Sequence, residues 1–226
     1  MAYFTGPNIV TDELLLAYDA GSGRSYSGSG TTASNIIDSS TGTLVNGVAF
    51  NSANGGYWEF DGTDDYISIA NANSPQFTAN QSFTISYTLK LNTITGGFWA
   101  PVMKGYFSQS YGHLIINDDL LVYTDADSSP EYTFNNVFTN DANKWVFITQ
   151  TYDGNIIYLY RNGEFFGQSG TGIGFTTSTL PLYFGSNGAT NYYLDGSMAT
   201  VKMYNKALSA AEVTQNFNAQ KSRFGL

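Results

Sequence analysis

The chain has 226 residues, 16% of them aromatic, with 24 glycines, no cysteine and a formal net charge of −9. Nine Lys and Arg in total exclude the counterion-release binding of DNA or RNA and disfavour an anionic membrane surface, and the lack of cysteine rules out disulfides and thiolate zinc sites. No apolar run approaches the about 20 residues that span a bilayer, Met1–Val10 has neither the basic region nor the apolar stretch of a signal peptide, and the length fits one large all-β domain.

Residues 1–13 contain Pro7 and too little apolar surface for a core of their own. They read as an arm in which Tyr3, Phe4, Pro7, Ile9 and Val10 anchor on a neighbouring subunit, ahead of a single domain over residues 14–226. Leu14–Tyr18, LLLAY, predicts a first strand, ended by the turn-rich Asp19-Ala20-Gly21-Ser22-Gly23. Arg24–Asn46 is rich in Ser, Thr and Gly and reads as a long loop with a short strand at Asn35–Ile37. Tyr57–Ile69, YWEFDGTDDYISI, predicts two strands around a turn at Asp61-Gly62-Thr63. Further strands fall at Phe83–Leu91, Val102–Lys104, His113–Ile116, Leu120–Thr124 and Tyr132–Phe134.

Trp145–Gly167, WVFITQTYDGNIIYLYRNGEFFG, spells out a three-strand meander. Asp153-Gly154-Asn155 and Asn162-Gly163 supply the positive φ angles of tight hairpin turns, because Gly has no Cβ to clash and Asn tolerates the left-handed region. Alternation turns Trp145, Phe147 and Ile157 or their neighbours inward. Strands at Leu182–Phe184 and Met198–Tyr204 follow. Ser209 and Glu212 then have capping-box spacing, with Leu208 and Val213 placed as a hydrophobic staple, so a helix runs from about Ala210 to Asn218 and packs Val213 and Phe217 on the sheet.

In this order, FDGTDDYISI, FTISYTLKL, WVFITQTYDGNIIYLYRNG, LYFGSN and YLDGSMATVKMYNKALSAAEV resemble the laminin G-like branch of the concanavalin A-like jelly rolls, over Leu14–Phe217. The resemblance implies a two-sheet antiparallel jelly-roll sandwich with Greek-key connections and one short C-terminal helix. The opening, GPNIVTDELLLAYDAGSGRSYSGSGTT with the later GTLVNG, is similar to laminin G-like proteins of tailed, especially marine, phages; ASNIIDSS departs from that pattern. This narrower resemblance implies a non-enzymatic virion protein, made in the host cytoplasm. It would be a decoration protein on the outer head that contacts the major capsid protein or a fibre, and trimeric by analogy. A glycan-binding adhesin on a tail or head fibre, meeting host-surface sugars, is the alternative, and a glycoside hydrolase a remoter one.

Three chemistries follow. Hydrolysis needs two carboxyl groups about 5–10 Å apart. The nearest spacing is Asp125-Ala126-Asp127 with Glu131, which Ser128-Ser129-Pro130 interrupts. His113 is the single histidine and reads as a strand-end residue in HLIIN, so no enzyme activity is expected. A structural Ca²⁺ is implied by the resemblance, with Asp61, Asp64 and Asp65 in one turn, Asp195 in a comparable turn and Asp19 after the first strand as ligands; the same Asp residues also suit plain turn chemistry. The calcium-loop likeness of Asp125-x-Asp127-x-Ser129 fails at Pro130 and Asn136. Glycan stacking would use Trp99, Tyr106, Tyr111, Tyr192 and Tyr193, of which consecutive Tyr192 and Tyr193 should face opposite ways.

Overall fold

A computed structural model describes residues 7–78, 80–106, 111–124, 132–188 and 191–226. In chain order the strands are β1 Leu14–Asp19, β2 Thr32–Ser34, β3 Thr41–Val45, β4 Ala49–Asn51, β5 Tyr57–Asp61, β6 Tyr66–Ile69, β7 Phe83–Leu91 and β8 Phe98–Lys104. They continue as β9 Gly112–Ile116, β10 Asp119–Tyr123, β11 Tyr132–Phe134, β12 Trp145–Tyr152, β13 Ile157–Arg161, β14 Glu164–Gln168, β15 Leu182–Phe184 and β16 Asp195–Tyr204, before helices α1 Ala210–Asn218 and α2 Lys221–Phe224.

Two antiparallel sheets face each other. The first runs β14-β13-β12-β7-β16-β5-β4, with β1 on the C-terminal half of β16; the second runs β11-β10-β9-β8-β15-β6-β3-β2. The meander forms the β14 edge of the first sheet as its sequence predicts, turning through Gly154 at φ 102° and through Asn162-Gly163 at φ 52° and 79°. The expected strand at Asn35–Ile37 is a turn instead, and the stretch read as loop contains β2 and β3. Gly42 of β3 lies so close to β6 that a Cβ there would stand 2.9 Å from Ile69 Cγ1, which explains a small residue in this strand.

The main core lies between the sheets and includes Trp58, Ile85, Tyr87, Ile148, Phe184 and Val201. Val146, Ile148 and Ile157 turn inward, whereas Trp145 and Phe147 face away and are covered by Phe224 and Phe217 respectively. Both faces of β12 are therefore buried, so alternation alone could not choose its inner face.

Helix α1 carries the expected capping box, with Ser209 N donating to Glu212 Oε2 at 2.9 Å and Glu212 N to Ser209 Oγ at 3.4 Å. A cap of this kind is worth about 1 kcal/mol. Leu208 and Val213 bury together, and Val10 joins them at 7% exposure. Val10 N donates to Asn216 Oδ1 at 2.8 Å and its carbonyl accepts from the Tyr204 hydroxyl at 3.1 Å. Ile9 and Val10, expected to anchor on a neighbouring subunit, are thus stitched into this chain's own domain; Pro7 is exposed, and Tyr3 and Phe4 lie outside the described residues.

Candidate functional site

The β5–β6 turn is built by its aspartates. Asp61 Oδ1 accepts from Thr63 N at 2.8 Å and Asp64 N at 3.3 Å, while Asp65 Oδ2 accepts from Asp61 N at 3.2 Å. These bonds are the side-chain turn contacts that Asp favours. They also bring one carboxylate oxygen from each of Asp61, Asp64 and Asp65 within 4.8 Å of one another.

Turn chemistry leaves one atom unexplained. Asp65 is 4% exposed and its Oδ1 is buried with no hydrogen-bond partner among the described residues. Burial pushes the Asp65 carboxyl above the usual range, and the neighbouring Asp61 and Asp64 charges add to the shift. The Asp61 carboxyl is held low, chiefly by the Thr63 backbone N–H. A Ca–O bond is about 2.4 Å, so oxygens on opposite sides of one ion stand about 4.8 Å apart. The donor set and the unpaired oxygen both fit a hard cation.

The two other aspartates expected as ligands fall outside this cluster. Asp195 pairs in register with Asp61, but its Oδ1 accepts from Asn92 Nδ2 at 2.7 Å. Asp19 ends β1, opposite Thr200 in the middle of β16, and Arg223 Nη1 donates to both its oxygens at 2.8 and 3.0 Å.

Beside the acids, the outer face of the second sheet carries a row of tyrosines. Strand alternation turns Ile67 and Ile69 of β6 and Leu182 and Phe184 of β15 into the core, which leaves Tyr66 and Tyr183 half-buried on the outer face. The Tyr66 ring lies 6.0 Å from Tyr183 and 6.5 Å from Tyr193. Burial raises the Tyr183 hydroxyl pKa, with added effects from Tyr106 and Tyr66; burial raises that of Tyr193, with added effects from Tyr66 and Asp64. The rings in contact run Tyr183, Tyr66, Tyr193 toward the acid cluster, with Tyr106 near enough to Tyr183 to influence its hydroxyl.

Tyr106 is 40% exposed and its ring lies over Gly188, where a Cβ would meet Tyr106 Cε1 at 2.1 Å. Phe98, 49% exposed, packs 5.7 Å from Tyr192. Tyr192 and Tyr193 are not consecutive strand residues: Tyr192 has φ 54°, and both side chains are half-buried.

Trp99 and Tyr111, also expected to stack on sugars, are core residues at 4% and 1% exposure. Tyr111 packs on Phe77 and Phe83 and its hydroxyl donates to Pro75 O at 2.9 Å. Residue type alone does not separate a core aromatic from a surface one. Tyr66, Tyr183 and Phe98 escaped the sequence reading, although the Y-I-S-I and L-Y-F alternation carried the signal for the first two.

His113 is the second residue of β9, close to the strand end the sequence suggested, and is fully buried. Its Nδ1 accepts from the Tyr87 hydroxyl at 2.9 Å and its Nε2 donates to Gln150 Oε1, so it ties β9 of one sheet to β7 and β12 of the other. Burial pushes its pKa down to about 4. The Asp125, Asp127 and Glu131 carboxylates lie outside the described residues. Among the described residues no helix is long and apolar enough to cross a membrane.

Two facing antiparallel sheets with a short C-terminal helix define a jelly-roll sandwich. The sequence profile of the concanavalin A-like lectin/glucanases superfamily, laminin G group, matches residues 61–214, and the chain belongs to that family. No curated protein matches it by sequence.

Among solved structures, the chain is similar to the botulinum neurotoxin serotype D binding domain, with TM-score 0.73 and 13% identity over 92% of this chain and 52% of that one. The binding domain of Paraclostridial Mosquitocidal Protein 1 gives TM-score 0.71 and 16% identity, again over 92% and 52%. The binding domain of botulinum neurotoxin DC in complex with SialylT gives TM-score 0.70 and 15% identity over the same shares. The chain thus spans about half the length of these structures, and at such identity the likeness is one of fold.

Proposed function

We propose that this domain is a carbohydrate-binding module whose ligand lies along Tyr106, Tyr183, Tyr66 and Tyr193. The tyrosine row carries the reading. Aromatic rings offer apolar faces to the C–H faces of a pyranose while their hydroxyls hydrogen-bond, and rings exposed on a rigid sheet need little ordering on binding. A Ca²⁺ held by Asp61, Asp64 and Asp65 would fix the turn from which Tyr66 departs and offer sugar hydroxyls a hard Lewis acid. The binding domains among the structural neighbours, one of them in complex with SialylT, support a binding role over a catalytic one.

The test is a glycan array probed with the labelled domain, with and without calcium. Calcium-dependent binding to a defined set of sugars, lost in Tyr66→Ala and Tyr183→Ala, is the expected result. Binding that both variants retain overturns the site.

The setting implied by the phage-like opening is a virion, as a decoration protein on the outer head or an adhesin on a fibre. The net charge of −9 suits a position away from packaged DNA. One feature favours an assembly role alongside sugar binding: β14 is an edge strand, and its Phe165 and Phe166 are 57% and 38% exposed. An unpaired edge with exposed aromatics invites pairing with another subunit. Antibody labelling that finds the protein on virion heads or fibres supports this setting; virions with none of it refute it.

A further inference from the structure

A cleft of about 750 Å³ opens on the opposite side of the first sheet, between the N-terminal segment, β1 and the C-terminal helices. Its volume is that of a small-molecule site, about 300–1,000 Å³. Its lining is unusual for so acidic a chain, since Arg24, Lys202 and Arg223 meet a single carboxylate, Asp19, there. Asp19 is committed to Arg223, whose guanidinium also donates to the carbonyls of Asn54 and Gly56.

Lys202 is the unsettled group. It points outward from β16, is 5% exposed, and its ammonium donates only to Gln220 Oε1 at 2.9 Å, with no ion pair among the described residues. An ammonium has three donors, and a buried one left short of acceptors is costly.

The chain's other buried lysine shows the contrast. Lys104 is 0% exposed, and its ammonium donates to Asn71 Oδ1 and Ser74 Oγ, both at 2.6 Å. Two side-chain acceptors thus meet the Lys104 ammonium, against one for Lys202. Lys104 is closed by the protein itself, whereas Lys202 opens on a cavity.

We infer that this cleft binds a small organic monocarboxylate, with Lys202 at its floor as the carboxylate anchor and Arg24 at its rim. The walls supplied by Ile9, Leu14, Ile36 and Ile37 suit an aliphatic or ring body. A phosphate dianion is a poorer match, because the one guanidinium fork in the floor is already bound to Asp19 and backbone carbonyls. Burial pushes the Lys202 pKa down to about 8, with Asp19 raising and Arg223 lowering it. Affinity for a carboxylate therefore falls as pH rises past about 8.

The test is an amide NMR titration of the domain with hexanoate, hexanol and hexyl phosphate. Hexanoate should shift the amides of Ala17, Ile36 and Gln220 saturably, and hexanol should not. Lys202→Met keeps the aliphatic stem and should weaken hexanoate at least about tenfold. Should that variant fail to fold, Arg24→Ala, at an exposed side chain, serves instead and should weaken binding several-fold. Equal response to hexanol, tighter binding of hexyl phosphate, undiminished binding by the folded variant, or no saturable shift in the cleft overturns the inference.

Discussion

Tyr66 follows Asp65 directly, and its ring lies 6.5 Å from that of Tyr193 at an interplanar angle of 32°. One turn therefore ends in a buried carboxylate and begins a platform of half-exposed rings. Anything that fixes the acid cluster also fixes the first ring of the row.

Calcium should stabilise the fold through that cluster. Ligand at about 100 times its Kd contributes about 2.7 kcal/mol, on the order of 5 °C in Tm for a chain of this size. Asp64→Asn is the cleaner variant because Asp64 is exposed, whereas Asp65 also receives the Asp61 amide. Melting with calcium and with chelator should differ for the native chain and much less for Asp64→Asn. An unchanged native midpoint removes the metal from the account.

His113 should make the protein acid-labile. Its folded pKa of about 4 lies below the ordinary 6.5, so the unfolded chain takes up a proton first as pH falls. Stability is present in full above pH about 6.5 and is lost down to about 4, by roughly 3 kcal/mol. Denaturant midpoints measured across that window should fall steeply, and His113→Gln, whatever its overall stability, should flatten the slope.

The two buried lysines act at the other end of the scale. Lys104 and Lys202 are both pushed down to about 8 from 10.5, so between those values the unfolded state binds more protons than the folded one. Stability should rise as pH climbs from about 8 toward 10, until buried tyrosines with raised pKa values reverse the trend. Chemical denaturation at several alkaline pH values measures the slope, and a monotonic fall from pH 8 contradicts the burial of these charges.

Gly188 holds Tyr106 in the row. It has φ 62°, and a Cβ would collide with the Tyr106 ring. Gly188→Ala should cost about 1 kcal/mol from the left-handed backbone and turn the ring aside. Sugar affinity should fall by more than that loss of stability explains, which binding and denaturation measured on the same variant can separate.

Local chemistry made much of this fold legible. Asn162-Gly163 announced its hairpin because few other residue pairs take two positive φ angles, and Ser209 with Glu212 announced α1 through a reciprocal cap. The Asp61–Asp65 cluster was readable because a tight turn forces neighbours in sequence to be neighbours in space. What escaped depends on distant chain. Trp145 and Phe147 face outward only because Phe224 and Phe217 return to cover them. β2 and β3 hide in a Ser/Thr/Gly-rich stretch, where the close packing of Gly42 in β3 against β6 selects a small residue over the usual strand formers. Lys202 looks like any surface lysine until Gln220 and the helices close over it.

The most direct test is a calorimetric titration of the strongest array sugar into the native domain and into Tyr66→Ala, each with calcium and with chelator. Saturable binding by the native domain, weakened at least about tenfold by removing either Tyr66 or calcium, is the predicted result. Native-strength binding by a folded Tyr66→Ala would contradict the assignment of the tyrosine row as the sugar site.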